Sequence, residues 1–209
     1  MTIIKPSTNT GIAMTESGDR TKIFVIGFNK TGTTSIDAFF QSYGYRTLHW
    51  KFGDKYLARE IAFNVGKSSF ILADIDNFDV YSDFTFVSDD QAIEANSYYR
   101  ELHSTFPNAF YVLNTRSMEG WILSRLRHPK FAERYTKALG MSIIDLVAYW
   151  EKLKVSRESE IREYFMGNER FVEFNIEKET FHELAEKLSL PMSVRTEPQL
   201  HLNQTFKFR

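Results

Sequence analysis

The chain has 209 residues, 43% of them hydrophobic and 15% aromatic, which is enough for one sizeable core and few for two, so one domain is expected. Its formal net charge of -1 excludes a global field that would recruit nucleic acid or an anionic membrane, and leaves any anion site to a local cluster. Cysteine is absent, which excludes disulfides, thiol catalysis and cysteine-ligated zinc.

Residues 1–20, MTIIKPSTNTGIAMTESGDR, lack a long apolar run and read as a disordered leader rather than a secretory signal. No uninterrupted apolar stretch approaches the about 18 residues needed to span a bilayer, so a cytoplasmic protein without a membrane partner is expected, with residues 21–209 as its one domain. The first element is the apolar run Ile23-Phe24-Val25-Ile26, which lacks polar alternation, as a strand covered on both faces does. Ile36, Phe39, Phe40 and Tyr43 then form one helical stripe that Gly44 can end. Tyr45 to Trp50 predicts a second strand, Asp54 to Val65 a helix, and Ser69 to Ala73 a short strand. Strand and helix therefore alternate, which predicts an α/β fold with a central, mostly parallel sheet flanked by helices.

Asp74 to Asp90 holds six aspartates around the apolar run Phe84-Thr85-Phe86-Val87, read as a strand with Asp89 just beyond its end. Ala92, Ala95, Tyr99, Leu102 and Phe106 step by three and four, as in a helix ended by Pro107. Ala109 to Leu113 is the second plainly buried strand, running into Arg116 and a helix from Met118 to Leu126. Ser142 with Asp145 resembles a capping box opening a long helix with the stripe Ile143, Val147, Trp150 and Leu153. Arg170 to Asn175 reads as a late strand, and Thr180 with Glu183 can cap a last helix that Leu190-Pro191 stops.

The chemistry lies in Gly27 to Thr34, GFNKTGTT, which has the glycine spacing of G-x-x-x-x-G-K-[ST] but threonine, Thr33, in the lysine position. The one lysine lies mid-loop at Lys30, among the hydroxyls of Thr31, Thr33, Thr34 and Ser35. Backbone N–H groups at the start of the next helix lack intrahelical partners and sit at the positive end of its dipole, so they can cradle phosphate-like oxygens. A second basic feature is Arg116, directly after an apolar strand, where its fork of donors can grip a phosphate. Ser124 follows two helical turns on. Between Arg116 and Lys137 there are six Lys/Arg against Glu119 and Glu133; Arg125, Arg127, Lys130, Arg134 and Lys137 are assigned to a solvated helix face.

The loop as it stands, GFNKTGTTSIDAFF, resembles the 5′-phosphosulfate loop of sulfotransferases that use 3′-phosphoadenosine 5′-phosphosulfate (PAPS). The stretch FPNAFYVLNTRSMEGWILSR resembles the same family's 3′-phosphate segment, a strand ending in arginine with a serine eight residues on. The likeness continues more loosely through FVEFNIEKETFHELAEKL to HLNQT. It implies a three-layer P-loop-type fold and in-line transfer of a sulfuryl group from PAPS to a hydroxyl or amine of a small-molecule or glycan acceptor, leaving adenosine 3′,5′-bisphosphate. Lys30 would stabilise the departing phosphate, Asn29, Lys30, Thr31, Gly32, Thr33, Thr34 and Ser35 would hold the phosphosulfate, and Arg116 with Ser124 the 3′-phosphate. No metal is required. The general base is a histidine or carboxylate in this family, which implies Asp89, placed at a carboxyl end of the sheet; its alternative is a helix N-cap. His49, at the end of the second strand, is the second choice, with a hydrogen-bonded structural role as its alternative.

Three further readings stay open. A P-loop kinase or NTPase would use Phe70 to Asp74 (FILAD) as its magnesium-holding strand and aspartate, against which Thr33 stands. A non-catalytic nucleotide-binding module would keep the fold without the chemistry. Asp74-Ile75-Asp76 invites a metal, but with no histidine or glutamate nearby it reads as a solvated loop. Oligomeric state and acceptor identity are not encoded in any motif found.

Overall fold

The computed structural model describes residues 21–190. The first strand, β1 (Ile23–Val25), is fully buried and delivers the loop to helix α1 (Thr33–Ser42). Strand β2 (Thr47–His49) follows, then a small hairpin of β3 (Lys51–Phe52) and β4 (Lys55–Tyr56) and helix α2 (Leu57–Gly66). Strand β5 (Val80–Ser82) precedes a second hairpin, β6 (Thr85–Val87) and β7 (Ala92–Glu94). A 3₁₀ turn (Ala95–Tyr98) leads into α3 (Tyr99–Thr105), and β8 (Phe110–Thr115) is buried along its whole length. Helices α4 (Met118–Arg127), α5 (Phe131–Leu139) and α6 (Ile143–Tyr164) come next, then β9 (Phe171–Asn175) and α7 (Phe181–Lys187).

Five strands form one all-parallel sheet in the order β2-β5-β1-β8-β9. Its two faces are read directly from alternation along β1. Phe24 points into one core with Leu57, Ala58 and Ile61 of α2, Leu102 of α3 and Ile161 of α6. Ile23 and Val25 point into the other, with Ile36, Phe39 and Phe40 of α1 and Leu184, Ala185 and Leu188 of α7. The result is a three-layer α/β fold of the P-loop type, and each face buries its own aliphatic set. Register adds an aromatic row: Phe24 sits opposite both Tyr81 and Tyr111, with ring centroids 5.2 and 5.5 Å away. A third core, built from Phe28 and the aromatic residues of α4, α5 and α6, lies beyond the loop.

Several expectations change. Ser69 to Ala73 is not a strand; residues 71–77 are turns, with Asp74 at φ 66. Ile71, Leu72 and Ile75 are buried there with a spacing that no strand gives, and Asn64 Nδ2 donates to the Ile71 carbonyl (3.2 Å). The sheet strand in this region is β5, whose short run between Asp79 and Asp83 carries too little apolar pattern to stand out. The run at Phe84 does form a strand, but β6 pairs antiparallel with β7 outside the central sheet. That pairing also delays the helix expected from Ala92, because Ala92, Ile93 and Glu94 are spent on the hairpin. Likewise α2 starts at Leu57 because Lys51 to Tyr56 form a hairpin. In α6 the capping bond from the Asp145 N–H to Ser142 Oγ is present (3.2 Å), but the buried stripe is Leu146, Trp150, Lys154, Glu158 and Ile161, and Ile143 is 47% exposed. The capping box of Thr180 and Glu183 is present on α7.

Candidate active site

β1 occupies the middle of the sheet and its chain leaves toward β2, while the later strand β8 lies on its other side. This reversal of strand order is where open α/β sheets bind ligands. Two residues weld the point together. Gly27 donates its N–H to Asn114 Oδ1 (2.8 Å), and a Cβ at Gly27 would fall 2.0 Å from the Asn114 carbonyl oxygen, so only glycine lets the loop leave β1 here. Asn114 Nδ2 donates in turn to Thr31 Oγ1 (2.5 Å), and Thr31 is fully buried. The loop is anchored on its other flank by Trp121 Nε1, which donates to the Asn29 carbonyl (2.9 Å).

This anchoring forces Lys30 into the left-handed region (φ 64), and Gly32 takes the same region (φ 88) as the N-cap of α1. No side chain hydrogen-bonds at that cap, so the positive end of α1 lacks a side-chain acceptor. Asn29 Oδ1 is buried without a partner beside it. A Cβ at Gly32 would meet Ile176 at 2.6 Å, so the residue must be glycine for space as well as for conformation. The start of α1 without a side-chain acceptor, on a loop held by buried bonds, fits a phosphate-like group.

Arg116 joins the loop from β8. Its Nη1 donates to the Lys30 carbonyl (3.4 Å) and its Nε to Glu177 Oε1 (2.8 Å), while the Ser117 N–H donates to Glu177 Oε2 (3.0 Å). Burial pushes the Glu177 carboxyl up, but the bonds from Arg116 and Ser117 outweigh it and hold the group below its ordinary value. Ser124 lies on α4, half-buried, one residue before the interior-facing Arg125. The structure thus brings Arg116 to the loop and sets Ser124 on the helix that flanks it.

On the opposite side, β2 and β5 end beside α1. His49 Nδ1 pairs with Ser82 Oγ (2.9 Å), and its Nε2 lies 3.5 Å from Thr34 Oγ1. The residue after β5 is Asp83, in left-handed conformation (φ 60), whose Oδ2 accepts from Thr33 Oγ1 (3.4 Å) and whose Oδ1 is shielded from solvent without a partner. Burial raises the Asp83 carboxyl above its ordinary range against the opposing charges of His49 and Lys30. Lys30 is lowered by burial and by Arg125, with Asp83 acting the other way.

Asp89 does not join this group. It lies in the β6–β7 turn, exposed, paired with Lys137 (3.3 Å) and reached by Arg134 (4.0 Å). The strand before it belongs to a hairpin, so the carboxyl end of the sheet goes to Asp83, which the sequence hides among six aspartates. Among the basic residues assigned to solvent, Arg125 is fully buried. Phe70 to Asp74 supplies no strand, and Asp74 is exposed and paired with Lys55 (3.0 Å), which removes the element the kinase reading needed. His103 bonds Tyr164 (3.0 Å) in an aromatic cluster away from the loop. Among the described residues no three His, Asp or Glu side chains gather as a metal site, and no helix is long and apolar enough to cross a membrane. The stretch HLNQT lies outside the described residues.

The family model described as "Sulfotransferase domain" matches residues 22–189, from the lysine before β1 to two residues past α7. No curated protein matches the chain.

Proposed function

Because this chain belongs to the sulfotransferase domain family, we propose that it moves a sulfuryl group from PAPS to a hydroxyl or amine of a small-molecule or glycan acceptor. One observation supports the donor assignment: the Arg116 guanidinium donates to the carbonyl of Lys30 (3.4 Å), which sets two phosphate-type motifs 86 residues apart side by side. The 5′-phosphosulfate would lie on the N–H groups of Gly32 to Ser35 with Asn29, Thr31, Thr33 and Thr34 around it, and the 3′-phosphate toward Arg116 and Ser124.

In the reaction the acceptor oxygen or nitrogen bonds sulfur as the bond from sulfur to the 5′-phosphate oxygen breaks. Adenosine 3′,5′-bisphosphate departs, and the acceptor proton goes to a base. Lys30 and the start of α1 stabilise the charge that grows on the departing phosphate. Asp83 replaces Asp89 as the base in this proposal, with His49 beside it. The raised carboxyl is a stronger proton acceptor once ionised, and its Oδ1 is not committed to any hydrogen bond within the fold.

Lys30→Ala tests the reading. Loss of a charge-assisted contact that strengthens toward the transition state is worth about 2 to 4 kcal/mol, or roughly 10² to 10³ in rate. Turnover with PAPS is expected to fall far more than affinity for the bisphosphate product; equal losses in both contradict the role. A protein that binds the bisphosphate and transfers nothing to any acceptor is the binding module instead.

A further inference from the structure

We infer that Arg125 is a positioning residue: its buried guanidinium, clamped by Glu94 and walled by aromatic rings, fixes Phe28 and Asn29 of the loop and through them the place of Lys30. The inference goes beyond the sulfotransfer reading and rests on it only for the arm of the test that measures turnover.

Arg125 is fully buried, an unusual place for a guanidinium. Its Nη2 donates to Glu94 Oε1 (2.7 Å), which also accepts from Tyr135 (2.9 Å), and Glu94 Oε2 accepts from Thr85 Oγ1 (2.7 Å). Its Nε and Nη1 have no hydrogen-bond partner, and aromatic faces stand around the group instead. The centroids of Trp121, Trp150, Phe131, Phe28 and Tyr135 lie 4.2, 5.1, 5.3, 5.5 and 5.9 Å from its central carbon.

Two of those rings are bound to the loop. Phe28 is part of it, packed on Trp121 at 5.2 Å, and Trp121 holds the Asn29 carbonyl through its indole N–H. Trp121 and Arg125 are four residues apart on α4, one above the other, so the guanidinium braces the ring that grips the residue before Lys30. A buried ion pair costs several kcal/mol of desolvation per ion, and an apolar side chain of similar size would fill the same space without it. What an apolar residue would not supply is a fixed charge behind the loop. Lys30 feels that charge as well as that of Asp83 beyond β5, and the charge of Glu94 reaches Asp83.

The test uses the full chain. Arg125→Met alone strands the Glu94 carboxylate, so the principal variant is Arg125→Met with Glu94→Gln, checked for folding by circular dichroism and thermal melting. Lys30 is then acetylated with acetic anhydride across a pH series, with the modified peptide quantified by mass spectrometry, and turnover with PAPS is measured beside affinity for adenosine 3′,5′-bisphosphate. The Lys30 curve is expected to move to higher pH, and turnover to fall about 10²-fold, the cost of a slightly misplaced group, with bisphosphate affinity held. A folded double variant whose Lys30 curve coincides with wild type overturns the inference. If the double variant does not fold, Arg125→Gln, whose amide still donates to Glu94, is read on the same curve with the same two outcomes. A shifted curve in a protein whose wild type transfers no sulfuryl group upholds the positioning role while sinking the sulfotransfer reading.

Discussion

Asp83 and Asp89 lie six positions apart, and their surroundings give them opposite chemistry. Asp89 is exposed and paired with Lys137. Asp83 is shielded, with one oxygen unpartnered and its proton held above the ordinary carboxylate range by burial. Asp83→Asn is therefore expected to lower turnover by about 10² to 10⁴, the range of a lost general base, with bisphosphate affinity unchanged, whereas Asp89→Asn leaves both near wild type. Steady-state kinetics beside calorimetry checks this, and the reverse ranking restores Asp89 as the base. The same shift has a stability sign. The folded protein keeps the Asp83 proton to higher pH than the unfolded chain, whose ordinary value is near 3.8, so stability is lost as pH rises through that window. Asp83 therefore weighs against the fold once it ionises, and Asp83→Asn is expected to melt higher than wild type, by a margin wider at pH 8 than at pH 4. Melting curves at the two pH values decide it, and a lower Tm for the variant at pH 8 contradicts the assignment. At this scale the sequence was legible where a residue sits in a dense local pattern, as the loop glycines Gly27 and Gly32 do. It was opaque where identity depends on a partner far along the chain. Nothing near Arg125 in sequence announces Glu94, and a run of charged residues on a helix is ordinarily solvated.

The loop between β1 and α1 shows how much an element owes to its neighbours. Its glycine and threonine pattern was readable, and so were β8, α1, α4 and the cap of α7, because buried strands and capped amphipathic helices carry dense local signals. The hairpins were not. β3 and β4 have two residues each, and β6 with β7 needs a register between two short runs, so their alternation is too brief to separate from the start of a helix. The turn at residues 71–77 misled because buried isoleucine and leucine without wider context look like a strand. A consequence at this scale concerns the exit from β1. Gly27→Ala puts a methyl 2.0 Å from the Asn114 carbonyl and forces β1 and β8 apart at their carboxyl ends. Overpacking of this kind costs about 1 to 3 kcal/mol and sometimes more, so Gly27→Ala is expected to lower the denaturation midpoint and abolish bisphosphate binding together. Denaturant titration beside calorimetry measures both, and a variant of wild-type stability and affinity contradicts the close packing of loop and strand.

Over the molecule as a whole, the fold class followed from the alternation of strands and helices, and the strand order did not. A nearly neutral charge places no global field over the molecule, so the proposed recognition of a polyanionic nucleotide would rest on a local basic point, the end of β8 and the start of α1, set where strand order reverses. The aromatic wealth of the chain is mostly core: Phe24, Tyr81, Tyr111 and Phe165 line one face of the sheet, while Trp121, Trp150 and Tyr135 surround Arg125. On the proposed function, this point holds a nucleotide by a 5′ group on the loop and a 3′-phosphate at Arg116 and Ser124. Titration calorimetry of the full chain with adenosine 3′,5′-bisphosphate, AMP and ATP tests it most directly. Tight binding of the bisphosphate, weak binding of AMP and ATP, and loss of that preference in Arg116→Ala are expected. Equal affinity for AMP and the bisphosphate, or a preference for ATP that requires magnesium, would contradict it.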